Sequence, residues 1–191
     1  MSDPITPRAQ IGVERRRQMQ IRGALMAGLK AERPDPAFLA VCSAYLVVSL
    51  TRLDFQDMEI LVRLRDRVPT SETDAHNGLT TLDERQAKAR AATAAFAREV
   101  ERYRTGQSDA AAFVTDVRAF ADLIQGMMAP RRNPYERYTN ELFTDDDWAA
   151  IADATPEAVA EEKRLFAEVK SLATPEADPE TMPTLHGGPP R

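Results

Sequence analysis

Histidine and cysteine are scarce in this chain, and their scarcity removes several functions at once. There are two histidines, His76 and His186, and one cysteine, Cys42. A single cysteine forms no internal disulfide, and no Cys/His cluster has the spacing that holds zinc. A reducing, cytoplasmic setting is therefore expected. Cys42 lies in Phe38-Leu39-Ala40-Val41-Cys42, where a small buried hydrophobe is expected rather than a reactive thiol. A carboxylate-bridged di-iron bundle needs Glu-x-x-His on two helices, because i and i+3 aim both side chains at one point. That tetrapeptide occurs nowhere here. The Gly-rich phosphate loop, the Gly-x-Ser-x-Gly elbow and the zinc-protease helix are missing too, so no catalytic constellation stands out.

Long apolar runs are also missing. The longest uncharged stretch runs from Pro36 to Thr51 and is closed by Arg52. It is shorter than the roughly 20 residues a membrane-spanning helix needs, and Ser43, Tyr45 and Ser49 interrupt it. A buried core helix is expected, with no membrane partner. The opening Met1-Ser2-Asp3-Pro4 lacks the basic-then-apolar pattern of a secretion signal. Strand-like β-branched runs bounded by turn residues are nearly absent, while alanine and arginine abound, which favours helix.

What is present points to one helical domain. Hydrophobic residues make up 43% of the 191, enough for a core. The periodicity predicts a first helix over about Ile11 to Glu32, with Ile21, Leu25 and Leu29 on one stripe. Asp35 and Pro36 open a second helix that runs to about Arg67. In it Leu39, Leu46, Leu50, Leu53, Ile60 and Leu64 form a seam completed by Ser43 and Asp57. A second stripe, Phe38, Val41, Tyr45, Val48, Phe55 and Val62, lies beside the first, so this helix is expected to be central and surrounded. Thr70 to Thr81 reads as a polar connector. The third helix is expected over Leu82 to Arg104, its alanines admitting a close neighbour, or a second copy of the chain. Ser108 is expected to cap a fourth helix reaching Met128.

Further on, a short helix is expected over Tyr135 to Phe143, with Arg131 to Tyr138 covering one end of the bundle. Thr144 should cap a helix over Asp145 to Asp153 anchored by Trp148, and Thr155 should cap a last helix to Leu172. The fold class is thus all-α: a four-helix-bundle-like core with one or two additional C-terminal helices. Residues 1–10 are expected to be flexible, 11–173 to form the domain, and 174–191, rich in proline, to be disordered.

The net charge of −5 is unevenly spread. Arg15, Arg16, Arg17 and Arg22 fall early, whereas Asp145 to Glu162 carries acidic residues and no basic one. No aromatic residue interleaves with the arginines, which argues against a nucleic-acid interface. It leaves Arg15, Arg16 and Arg22 as candidate partner-binding residues. The other candidates lie on the second helix. Asp54 and Asp57, one turn apart, together with Glu59 and the inward Tyr45, could hold a ligand or metal ion. Alternatively, the aspartates pair with arginine from the first helix, because an isolated buried carboxylate is very costly.

Tyr45-Leu46-Val47-Val48-Ser49-Leu50-Thr51-Arg52-Leu53-Asp54 and Asn140-Glu141-Leu142-Phe143-Thr144-Asp145-Asp146-Asp147-Trp148, with the order of helices, resemble bacterial hemerythrin-like proteins over about Ala37 to Val169. The resemblance implies a helical bundle whose inward histidines and carboxylates bind two irons. The family's paired histidines would fall near Pro134 and Tyr135, which are not such ligands. Asp54, Asp57 and Glu59 are then the remnant of a ligand helix, in a relative that has lost the di-iron centre or holds metal differently. No cofactor is expected beyond such a metal ion. Three functions follow in order. The first is a non-catalytic bundle acting through protein contacts, self-association or a small ligand between helices. The second is a carboxylate-based metal protein, and the third a nucleic-acid-associated protein.

Overall fold

The computed structural model describes residues 5–127 and 135–182. Among these, seven α-helices and two short 3-10 turns form the structure, with no strand. The helices are α1 (Pro7–Lys30), α2 (Pro36–Arg67), α3 (Thr73–Arg104), α4 (Ala110–Met127), α5 (Glu136–Leu142), α6 (Asp145–Ala152) and α7 (Pro156–Leu172).

Local chemistry sets most of the boundaries. Asp35 accepts the Ala37 N–H at 2.9 Å and Pro36 follows at the first helical position, where its missing N–H costs nothing. Val68 and Pro69 then stop α2. Thr155 caps α7 by accepting from Ala158 N at 3.2 Å. At α6 a full capping box forms. The Thr144 hydroxyl accepts from Asp147 N at 3.2 Å, and the Asp147 carboxylate accepts from Thr144 N at 2.8 Å, leaving two helix-end donors satisfied.

Four boundaries differ from those the sequence suggests. Thr6 caps α1 and Pro7 opens it, so helix begins inside the stretch expected to be flexible. The polar connector is only about a turn long, because α3 starts at Thr73 and carries His76, Asn77 and Gly78. Leu79, fully buried, packs there with Leu61 and Leu64; burial of this one side chain outweighs the polarity around it. Asp109, not Ser108, caps α4, accepting from Ala112 N at 2.8 Å. Finally, the chain after Leu172 stays ordered to Met182 through the turns Pro175–Ala177 and Pro179–Thr181. Ala177 is buried in the main core, and Lys170 pairs with Glu180 at 2.8 Å. Met128, Arg131–Pro134 and residues 183–191 lie outside the described residues.

Three apolar clusters share α2 as their common wall. The main one joins Ile21, Leu25 and Leu29 of α1, Phe38 to Leu46 of α2, Phe96 and Val100 of α3, Phe113, Val117, Phe120 and Ile124 of α4, and Leu165 and Val169 of α7. Phe96 stacks on Phe120 at 3.9 Å and Tyr103 on Phe113 at 4.2 Å. Gly28 lets Phe38 approach, since a Cβ there would sit 2.8 Å from the ring. A second cluster sets Tyr135 and Tyr138 over Leu61, Leu64, Val68 and Leu79, so the described part of the Arg131–Tyr138 segment does cover one end of the bundle. A third gathers Ile11, Ile151 and Ala152, flanked by Trp148. Trp148 anchors α6 against Phe143 at 5.3 Å, with the Arg8 guanidinium 5.0 Å above its ring.

The apolar span of α2 satisfies the length and composition of a membrane segment. Its walls are nonetheless the other helices of the bundle along the Phe38 to Leu46 half. The second stripe divides. Phe38 and Tyr45 are buried and Val41 and Val48 partly so, whereas Phe55 and Val62 face outward. The expectation of a helix surrounded along its whole length therefore holds only for its N-terminal part.

Candidate functional site

The carboxylates singled out on α2 take separate partners. Asp54 accepts from Arg90 Nε of α3 at 2.7 Å. Asp57 is bound by Arg15 of α1, the ion pair with the first helix anticipated as the alternative to a ligand pocket. Glu59 accepts from Arg63 of its own helix at 2.5 Å. The three do not face one point, and among the described residues no three His, Cys, Asp or Glu side chains converge. Asp57 breaks the apolar seam because its side chain, 35% exposed, reaches the edge of the α1–α2 contact. The arginines of α1 are similarly dispersed. Arg15 is committed to Asp57, Arg17 lies 4.9 Å over the Phe166 ring, Arg16 is exposed and Arg22 is half-buried.

Tyr45 is buried, and it marks the polar centre that the sequence reading did not assemble. Here α1, α2 and α7 meet. Arg52 of α2, 11% exposed, forms ion pairs with Glu14 of α1 and with Glu162 of α7, the latter at 3.2 Å. Gln56, fully buried, donates to Glu14 at 2.9 Å, and Gln10 donates to Glu14 at 3.0 Å. Ser49 and Gln18 are buried nearby in sequence. Tyr45 meets Phe166 at 6.2 Å. Taken with Arg52–Glu162, this shows that α7 runs antiparallel to α2.

The two carboxylates differ sharply in how they are served. Glu14 has Gln10, Gln56 and Arg52. Glu162, 5% exposed, has Arg52 as its ion-pair partner, and its Oε1 makes no hydrogen bond among the described residues. Burial pushes the Glu162 carboxyl up from its usual range; Arg52 and Arg17 oppose that rise and Glu14 adds to it. Burial likewise pushes up the Tyr45 phenol and the Cys42 thiol, so both are protonated at neutral pH and neither is a ready nucleophile. The sequence signal for this cluster was a set of polar residues on otherwise apolar faces. Glu162 falls between Val159 and Leu165 on the inward side of α7, and Arg52 and Gln56 lie one turn apart on α2.

A second polar knot pins α6. Arg67 reaches both oxygens of Asp147, at 2.5 and 2.7 Å, and donates to the Leu142 carbonyl at 2.9 Å. Arg63 Nε adds a contact to Asp147 at 3.2 Å. With the Thr144 backbone N–H, Arg67 holds the Asp147 carboxyl far below the usual carboxylate range. The Leu142-to-Trp148 motif thus has an internal structural role here.

What remains facing solvent on α2 is apolar. Phe55, Met58 and Val62 are 52%, 36% and 57% exposed, at spacings of three and four that make one ridge. Beside this ridge lie the ion pairs Asp54–Arg90 and Arg65–Asp83, which tie α2 to α3, and Glu59–Arg63 within α2. No protein-family model, curated protein or solved structure matches the chain.

Proposed function

We propose that this protein is a binding module without catalytic chemistry of its own, which receives a helix of a partner protein along the ridge Phe55, Met58 and Val62. The observation that carries the reading is the exposure of three large apolar side chains in a row on the helix that is otherwise the centre of the core. An apolar patch rimmed by polar groups is the usual mark of an interaction surface.

The form of the partner follows from α7. That helix already lies antiparallel along α2, beside Tyr45 and Arg52. At 1.5 Å per residue its 17 residues span about 26 Å, whereas the 32 of α2 span about 48 Å. Phe55 and Val62 continue the heptad of Val41 and Val48 on a face of α2 beside the one that α7, and then α6, cover. A second amphipathic helix laid along that uncovered face would continue a mode of packing the fold already uses. The charges around the ridge are internally paired, so the partner's contacting face is expected to be apolar.

The reading is tested by placing a photo-crosslinking residue at position 55 or 62, and at exposed Ala94 as control, in the cells that make the protein. A discrete adduct from 55 and 62 but not 94, abolished by Met58→Asp with the fold retained, supports it. An adduct containing a second copy of this chain would replace the partner with self-association, and equal labelling at all three positions would remove the site.

A further inference from the structure

On α2, Tyr45, Ser49, Arg52 and Gln56 follow one another at steps of four, three and four residues, which sets them on a single face of the helix. Three atoms at the lower end of this stripe and across from it carry unused hydrogen-bonding capacity. Arg52 Nη2, Gln56 Oε1 and Glu162 Oε1 are buried and make no hydrogen bond among the described residues. Gln56 is fully buried and Glu162 nearly so. A buried polar group left without a partner is costly, and native proteins rarely tolerate one.

The contacts around these atoms hold them in one neighbourhood. Nη2 belongs to the guanidinium whose Nη1 lies 3.2 Å from Glu162 Oε1. Gln56 Oε1 belongs to the amide whose Nε2 lies 2.9 Å from Glu14, the carboxylate with which Nη2 pairs. Two of the three are acceptors and the third is a donor with two N–H bonds. An occupant must therefore donate twice and accept once.

Charge narrows its identity. Glu14 and Glu162 would repel an anion, and the Arg52 guanidinium set between them would repel a metal or ammonium ion. A small neutral molecule with two donors and an acceptor is left, and water is that molecule; buried waters commonly make about three hydrogen bonds.

We propose that the junction of α1, α2 and α7 binds an internal water molecule, which donates to Glu162 Oε1 and Gln56 Oε1 and accepts from Arg52 Nη2. The water links α7 to α2 at the point where α2 meets Glu14 of α1. The site lies on the α1 and α7 side of α2, apart from the Phe55–Val62 ridge, and stands whether or not a partner binds there.

A crystal structure of the full chain, at a resolution that shows ordered water, tests the site directly. The expected result is a solvent peak about 2.7–3.2 Å from all three atoms. Bonds among the three side chains with no peak between them overturn the proposal. So does an anomalous signal at the peak after a rubidium soak, which would make the occupant a cation. In solution, water oxygen-17 relaxation dispersion counts long-lived internal waters. Gln56→Met, which removes one acceptor, should lose one of them relative to the wild type, and an equal count in a folded variant overturns the role of Gln56. The wild-type crystal structure decides the site without any variant.

Discussion

Two buried carboxylates, Asp147 and Glu162, stand about one helix apart in the chain and are treated in opposite ways. Asp147 receives two hydrogen bonds from Arg67, one from Arg63 and two from Thr144, and its carboxyl is held ionised far into acid. Glu162 has a shared guanidinium and no complete hydrogen-bond set, and its carboxyl is pushed the other way. Both are ion pairs at a junction between helices. The first fastens α6 to the end of α2, whereas the second shares one guanidinium with Glu14 beside the buried Leu165 and Val169 of α7. The count and geometry of donors, rather than opposite charge alone, decide how much such a pair returns against its desolvation.

The largest expected effect comes from breaking the well-served member. Asp147→Ala removes a helix cap and the carboxylate that Arg63 and Arg67 share, and should cost about 3 kcal/mol in urea unfolding. Glu14→Ala, which leaves Gln56 and Arg52 without their common acceptor, should cost about 2 kcal/mol by the same measurement. Glu162→Gln is expected to differ in sign. Removing the poorly compensated charge should leave stability at pH 7 unchanged or raise it by up to about 1 kcal/mol, and a loss matching that of Asp147→Ala would erase the distinction.

Acid provides a second comparison. The depressed carboxyl of Asp147 contributes stability that is complete above its unfolded value of about 4 and is lost as pH falls below it. The raised carboxyl of Glu162 makes the folded form gain stability as pH falls through its raised value. Chemical denaturation across pH 7 to 3 in Asp147→Asn and Glu162→Gln should therefore show the first variant losing the wild-type acid sensitivity and the second losing the stabilisation at mildly acidic pH. The smallest effect is assigned to Asp57→Ala. Its pair with Arg15 is more than a third exposed on both sides, so a change within about 0.5 kcal/mol is expected. A larger loss would restore Asp57 as a residue of special importance.

Much of the fold was legible in the residues. Asp35-Pro36, Thr144 with Asp147, and Thr155-Pro156 carry their caps in plain view, and the apolar stripe of α4 and the N-terminal part of those of α2 mark the core directly. The boundary of α3 was not legible because the evidence for its first two turns is tertiary. Ala75, Leu79 and Leu82 have helical spacing, but they sit among Thr, Asp, His, Asn and Gly, and only the facing Leu61 and Leu64 give Leu79 a reason to be inside. Residues 174–182 of the proline-rich tail differ from the expectation for a similar reason: Pro175 and Pro179 each open a 3-10 turn whose next apolar residue finds α1. At the polar centre, Tyr45 was recognised as inward, but its companions Glu14, Arg52 and Glu162 are spread over about 150 positions. Nothing local announces that three separate helices bring them together. Asp54, Asp57 and Glu59, close in sequence and so easily noticed, diverge around the helix to three different arginines.

The length of α2 has a consequence for how the chain comes to be folded. One rod forms a wall of all three apolar clusters, and α1, α3 and α7 pack directly along it, while α4 rests chiefly on α3 and α6 chiefly on α1. A lesion in the rod should then slow assembly everywhere, while a lesion in α5, α6 or α7 should chiefly hasten departure of that helix. The molecule behaves less like a set of stacked halves than like cladding on a single mast, and it should come apart from the cladding inward.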